Sequence, residues 1–203
     1  MAKRSAPEVN AGSMADIAFL LLIFFLVTTT IETDRGISRK LPPIQDEEVE
    51  PPVIKQKNIF TVIVNRNNDL FVEDEKMELS ELREAAKAFL DNGGGVGEDG
   101  CSYCQGARDP EASDNPKKAI ISLVNDRKTE YRTYISVQNE LVAAYNELRN
   151  RESQRLFGMD FTEMEAKYND PNFRGNKKKM ETQIDQVKVM YPQLLSEAEP
   201  KSS

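Results

Sequence analysis

Asp16 is an isolated charge in an apolar stretch: residues 17–27 read IAFLLLIFFLV, and residues 12–31 hold no other ionisable side chain. A carboxylate in such a setting costs about 2.5–3.5 kcal/mol at the centre of a membrane helix, and less one turn from its end. Two chemistries fit. Asp16 either snorkels to the interface, where the positive end of the helix dipole favours it, or it is a protonatable group that moves protons where a partner encloses it. The only other reactive pair is Cys101 and Cys104, a lone CxxC. With no second pair and no histidine it is a poor zinc site. It also lacks the helical and βαβ context of a thioredoxin-like redox site. A disulfide closing a small loop is the simplest reading.

The composition excludes much else. The 203 residues hold 27 basic and 34 acidic side chains, for a net charge of -7, and no histidine. A Ser-His-Asp or Cys-His nucleophile system, a His-ligated metal and an imidazole relay are therefore ruled out. No nucleophile motif, catalytic set, cofactor site or metal site is recognisable, so an enzyme is not expected. A net acidic chain without a basic block does not suit nucleic acid as a partner. Lys3 and Arg4 cancel Glu8 and Asp16, so the whole of the -7 lies beyond residue 31.

The element that must position Asp16 is a helix over residues 11–31. Its twenty residues 12–31 at 1.5 Å rise span about 30 Å, the hydrocarbon thickness of a bilayer. No other stretch is comparable, so a single pass is expected. The leading tail, 1–10, is short and basic and stays in the cytoplasm, while a long following domain crosses regardless of its charge. A cleaved export signal is the rival reading. The residues after the apolar run, TTTIETD, offer no Ala-x-Ala-like cleavage site.

The stretch EVNAGSMADIAFLLLIFFLVTTT resembles the membrane segment of the ExbD/TolR family of proton-motor subunits. Glu8, Asn10 and Asp16 occupy the family's acidic, Asn and membrane-Asp positions, and Ser13 stands where a proline is usual. The resemblance implies a homodimer of such helices inside an ExbB-like polytopic pentamer, in a bacterial inner membrane, with Asp16 alternately protonated and deprotonated. It also implies a TonB-like protein as the element driven. A TolR-like role in envelope integrity is the neighbouring possibility, and a membrane-anchored periplasmic scaffold without a proton role is the rival from another class. Thr28, Thr29 and Thr30 could line a hydrated exit path, or simply end the helix.

Beyond the span, residues 32–57 read as a Pro-rich periplasmic linker, able to reach roughly 80 Å if fully extended; Leu41-Pro42 fits a family position. Residues 58–203 are expected to form a small α+β domain of β-β-α-β-α order, the order the family domain shows. Strands are predicted over 58–64, 70–73 and 119–124 from β-branched and alternating residues. One helix is predicted with Ser80 as N-cap and Leu82, Ala86 and Phe89 on a face; another opens at Thr133 with Val137, Leu141, Tyr145 and Leu148 at helical spacing. Two departures from the family pattern are a Gly-rich loop insertion, 93–115, holding both cysteines, and a helical insertion, 150–190. In the latter Thr162 and Glu165 suggest a capping box, Met180, Ile184, Val187 and Tyr191 mark a helical face, and Lys177-Lys178-Lys179 read as a solvated helix start. Residues 191–198 are the candidate for the family's closing strand, with Pro192 confining it to an edge or a strand start. If the domain pairs through strand edges, residues 60–64 are the strand to test.

Overall fold

A computed structural model describes residues 11–28 and 54–198 of the chain. The chain divides into two units, Met1–Glu50 and Pro51–Ser203. The expected tail 1–10, Thr29, Thr30, the Leu41-Pro42 pair and most of the linker lie outside the described residues. In the first unit, helix α1 (Ala11–Thr28) covers 18 residues, about 27 Å at 1.5 Å per residue. Its large apolar side chains are exposed all round, from Ile23 at 42% to Val27 at 75%. Among the described residues no helix is long and apolar enough to cross a membrane. The described α1 stops three residues short of the 11–31 span expected from the sequence.

The second unit is built on a five-stranded mixed sheet. Its strands are β1 (Ile59–Val64), β2 (Leu70–Val72), β3 (Glu75–Met77), β4 (Ile120–Asn125) and β5 (Leu195–Ala198), in the order β3-β2-β1-β4-β5. β1 pairs antiparallel with β2 and parallel with β4, which pairs parallel with β5. The period-2 alternation of β1 sends Phe60, Val62 and Val64 inward, joined by Ile121 and Leu123 of β4. Helices α2 (Leu79–Leu90) and α3 (Tyr131–Phe157) close the core with Leu82, Ala86, Leu90, Val137, Leu141, Ala144, Tyr145 and Leu148. The expected β-β-α-β-α order is thus present, with β3 added to it; of the candidate closing strand 191–198, Leu195–Ala198 is strand β5. β1 lies in the middle of the sheet with both edges paired, so residues 60–64 offer no edge for pairing.

Several helix starts differ from expectation, each for a local reason. α2 begins at Leu79 with Glu78 as N-cap, not Ser80, because the Glu81 side chain reaches back to the Glu78 N–H. α3 begins two residues before Thr133, and the N–H of its N-cap Glu130 donates to Asn68 Oδ1 at 3.0 Å. It then runs 27 residues, past Asn150, until Gly158 adopts a left-handed φ of 70° and ends it. The inserted helices are therefore α4 (Phe161–Asn169) and α5 (Lys177–Met190). α4 is capped by Asp160 and not Thr162, whose N–H and hydroxyl both donate to Asn150 Oδ1. α5 starts, as predicted, at exposed Lys177-Lys178-Lys179, capped by Asn176. Phe161, Met164, Ile184 and Val187 give the insertion a small core of its own. β5 follows α5 and completes the sheet, so α4 and α5 lie between α3 and the last strand.

The loop 93–115 contains little regular structure, as its composition predicts, yet it is firmly anchored. Asn92 Nδ2 donates to the carbonyls of Asp109 and Ser113, both at 2.8 Å, and Ser113 Oγ donates to Phe89 O. Where the chain enters the domain, Asn58 and Asp114 exchange two hydrogen bonds, and Lys57 Nζ lies 2.6 Å from Asp114 Oδ1. Burial alone would push the Asp114 carboxyl up; hydrogen bonds from Lys57, Asn58 and Lys55 overcome it and hold the carboxyl at about 2. Lys55 is correspondingly raised, chiefly by its hydrogen bond to Asp114.

Two outcomes follow. Leu141→Ala, emptying a fully buried position, should destabilise the domain by about 2–5 kcal/mol in urea unfolding. Asp114 has a folded-state value below that of an unfolded Asp, about 3.9, so its contribution is present at neutral pH and is lost as pH falls from about 4 towards 2. Asp114→Asn should lower stability at pH 7 and flatten that part of the stability–pH profile.

Candidate functional site

Asp16 lies in the second turn of α1 and is solvent-exposed. It is the one ionisable side chain in the helix. From Ile17 to Val27 three consecutive turns are apolar on every side, a pattern suited to burial in lipid or in a larger apolar assembly and not to water. Apolar surroundings on all sides force a choice on a carboxyl at their boundary. Its neutral form is tolerated against them, whereas its charged form demands water, a cation or hydrogen-bond donors. At the other end, Thr28 Oγ1 donates to Phe24 O at 2.7 Å. Its hydrogen is committed to its own helix, the usual back-bond of a helical threonine.

The second unit places Cys101 and Cys104 together as a disulfide with Cα atoms 5.5 Å apart. A loop this short gains only about 2 kcal/mol from restricting the unfolded chain, so position matters more than loop entropy here. Gly93, at φ +67°, packs directly under the pair, since a Cβ on it would lie 2.7 Å from Cys104 Cβ. Between the cysteines, Tyr103 donates from its hydroxyl to Met190 O at 2.7 Å and meets the Tyr191 ring edge-to-face. Burial, followed by the nearby Glu152 and Asp91, pushes the Tyr103 hydroxyl up to about 12, so it stays a donor at any physiological pH. The loop borders a groove of about 520 Å³, with Tyr103, Cys104 and Gln105 on one wall and Arg155, Gln186 and Met190 on the other.

Beneath this groove is a set of buried charges that the sequence reading did not single out. Arg151 grips Asp91 with two hydrogen bonds, of 2.6 and 2.9 Å. Tyr191 Oη donates to Asp91 Oδ1 at 2.6 Å and receives from Arg151 at 2.8 Å. The Gln105 N–H also donates to Asp91. Glu152, fully buried, pairs with Arg151 and Arg155. Arg149 donates twice to Tyr191 O, and burial lowers its affinity for its proton. Arg151 is raised, first by its hydrogen bond to Asp91, and Tyr191 is raised by burial and then by Asp91. The spacing held one signal for this cluster: Glu152 occupies the next position of the Leu141, Tyr145, Leu148 stripe. The geometry makes a rigid joint between α2, α3, the loop and the end of α5. No nucleophile or acid–base pair is assembled there, and among the described residues no group of carboxylate or cysteine ligands could hold a metal ion.

Comparison with known proteins follows the same outline. Over 88 residues the chain is 25% identical to the biopolymer transport protein exbD2 of Vibrio cholerae serotype O1 (strain ATCC 39315 / El Tor Inaba N16961). That alignment covers 43% of this chain and 62% of the relative, so the chain spans less than two thirds of the relative's length. The family model described as biopolymer transport protein ExbD/TolR matches residues 2–151, a range that includes α1 with Asp16, the first four strands and most of α3. It stops short of α4, α5 and β5. With three quarters of its length so matched, the chain belongs to the ExbD/TolR family.

Proposed function

We propose that this chain is the ExbD-like subunit of an inner-membrane proton-driven motor and that Asp16 carries the protons. The observation that supports this most is the lone carboxyl on a helix otherwise apolar all round, within the range that the ExbD/TolR model matches. In this reading the span is 11–31, three residues longer than the described helix, with the N-terminus cytoplasmic and the second unit periplasmic. Two α1 helices from a homodimer sit inside an ExbB-like polytopic pentamer, and a TonB-like protein receives the work. The relative is named exbD2, and the proposal takes the ExbD branch, with a TolR-like envelope role as the alternative. A disulfide at Cys101 and Cys104 accords with an oxidising compartment.

The physics of such a carrier is simple. A proton crossing the membrane releases about 2.3 kcal/mol per 100 mV. Protonated Asp16 is at home facing apolar walls, and ionised Asp16 must face polar groups or water. Each titration step thus favours a different rotation of α1 relative to its surroundings. Thr28, Thr29 and Thr30 are proposed for the exit side, although the Thr28 hydroxyl must leave Phe24 O to serve there.

Asp16→Asn keeps the size and removes the titratable group. It should reduce proton-dependent uptake across the outer membrane to the level of a strain lacking the gene, with normal amounts of protein in the membrane. Asp16→Glu should retain part of it. Uptake undiminished in the Asn variant would refute the proton-carrying role.

A further inference from the structure

We propose that the Cys101–Cys104 disulfide is a thiol–disulfide exchange site for a protein dithiol of the CxxC class, and that its redox state sets how firmly the closing strand β5 is held. The proposal goes beyond the proton-carrying reading and does not need it.

Three contacts tie the disulfide loop to the segment just before β5. Tyr103, between the cysteines, donates to Met190 O, the last residue of α5. Its ring packs edge-to-face on Tyr191, with centroids 5.5 Å apart. The N–H of Gln105, the residue after Cys104, donates to Asp91, whose other carboxylate oxygen accepts from Tyr191 Oη. Cys104 N–H donates to Cys101 Sγ, and both cysteines pack on Gly93, which has a left-handed φ and no room for a Cβ. The disulfide is what closes this turn.

β5 depends on that anchor. It is a four-residue edge strand, paired only to β4 over Leu195 to Ala198, and its side chains after Leu195 are exposed. Glu197 adds a hold on α3 through Tyr134 and Gln138. The helices before it keep their own small core and Arg149 still holds Tyr191 O, so loosening the loop weakens the hold on the Met190–Leu195 junction and β5 without unfolding α4 and α5. Releasing β5 would uncover the edge of β4, a row of unpaired backbone donors and acceptors.

The groove supplies the approach. Cys104, though only 4% exposed, forms part of its wall and Cys101 does not, so the groove is the side from which its sulfur is reached. A thiolate of the incoming dithiol attacks Cys104 Sγ, the Sγ–Sγ bond breaks, and Cys101 leaves as a thiolate that takes up a proton. The second thiol of the reductant then displaces Cys104 from the mixed disulfide. Two electrons and two protons pass to the chain, and the reductant ends as a disulfide. The reverse sequence closes the turn again.

The test uses the full-length oxidised chain in detergent with reduced thioredoxin as the dithiol probe, following thiols by alkylation and backbone amides by hydrogen exchange. Thioredoxin should free both thiols faster than an equal thiol concentration of glutathione. Exchange over 186–198 should then rise by about tenfold or more, while 59–64 stays protected. The Cys101→Ser/Cys104→Ser variant should show the fast exchange without reductant and no response to it. Tyr103→Phe, which keeps the disulfide but loses the bond to Met190, should also raise exchange over 186–195. Unchanged exchange over 186–198 after full reduction overturns the proposal, as does unchanged exchange in Tyr103→Phe. Reduction by thioredoxin no faster than by glutathione overturns the assignment of a dithiol partner.

Discussion

The Asp91 carboxylate accepts hydrogen bonds from two nitrogens of Arg151, from Tyr191 Oη and from the Gln105 N–H, and so joins α2, α3, the loop insertion and the end of α5 at one point. A buried carboxylate with fewer partners would be costly, and one with all of them is rigid. This joint ties the loop 93–115 and the end of α5 to α2 and α3, beside the point where the chain turns to add β5 parallel to β4. Arg149 and Glu152 serve the same end, one gripping the Tyr191 carbonyl and the other balancing Arg151 and Arg155.

The same rule governs α1, from the opposite side. In the second unit a buried charge is tolerated because it is saturated with partners. In α1 a single carboxyl stands at the boundary of three apolar turns with no other ionisable group on its helix. A charge so placed has to be met by something else: water, a cation, another chain, or a proton. In the proposed reading it is met by a proton, and membership of the ExbD/TolR family is what supports that reading.

Where one force dominated, the sequence was easy to read. The β-branched runs and the Leu141, Tyr145, Leu148 stripe announced β1, β4 and α3 because burial of apolar surface alone decides them. The lone Asp16 was visible for the same reason, as the exception in a uniform stretch. Features set by competition between polar groups were less legible. Ser80 and Thr162 have the usual capping chemistry, yet Glu78 and Asp160 serve as the caps, since Glu81 and Asn150 were better placed to satisfy the backbone. β3 was missed because its turn uses Glu73 and Asp74 at positive φ, a conformation normally signalled by Asn or Gly. Asp91, Arg151 and Tyr191 meet only in three dimensions, with 40 to 100 residues between partners. Local spacing carries no trace of such a meeting beyond placing Glu152 on the α3 stripe.

Proton flux is the most direct measure of the role proposed for Asp16. The chain would be purified with its ExbB-like partner, reconstituted into liposomes, and a potential imposed while internal pH is followed. The wild-type assembly should show flux above that of the partner alone, and flux should fall to the partner's level when Asp16→Asn is incorporated in equal amount. Equal flux from the wild-type and Asn assemblies would contradict that role.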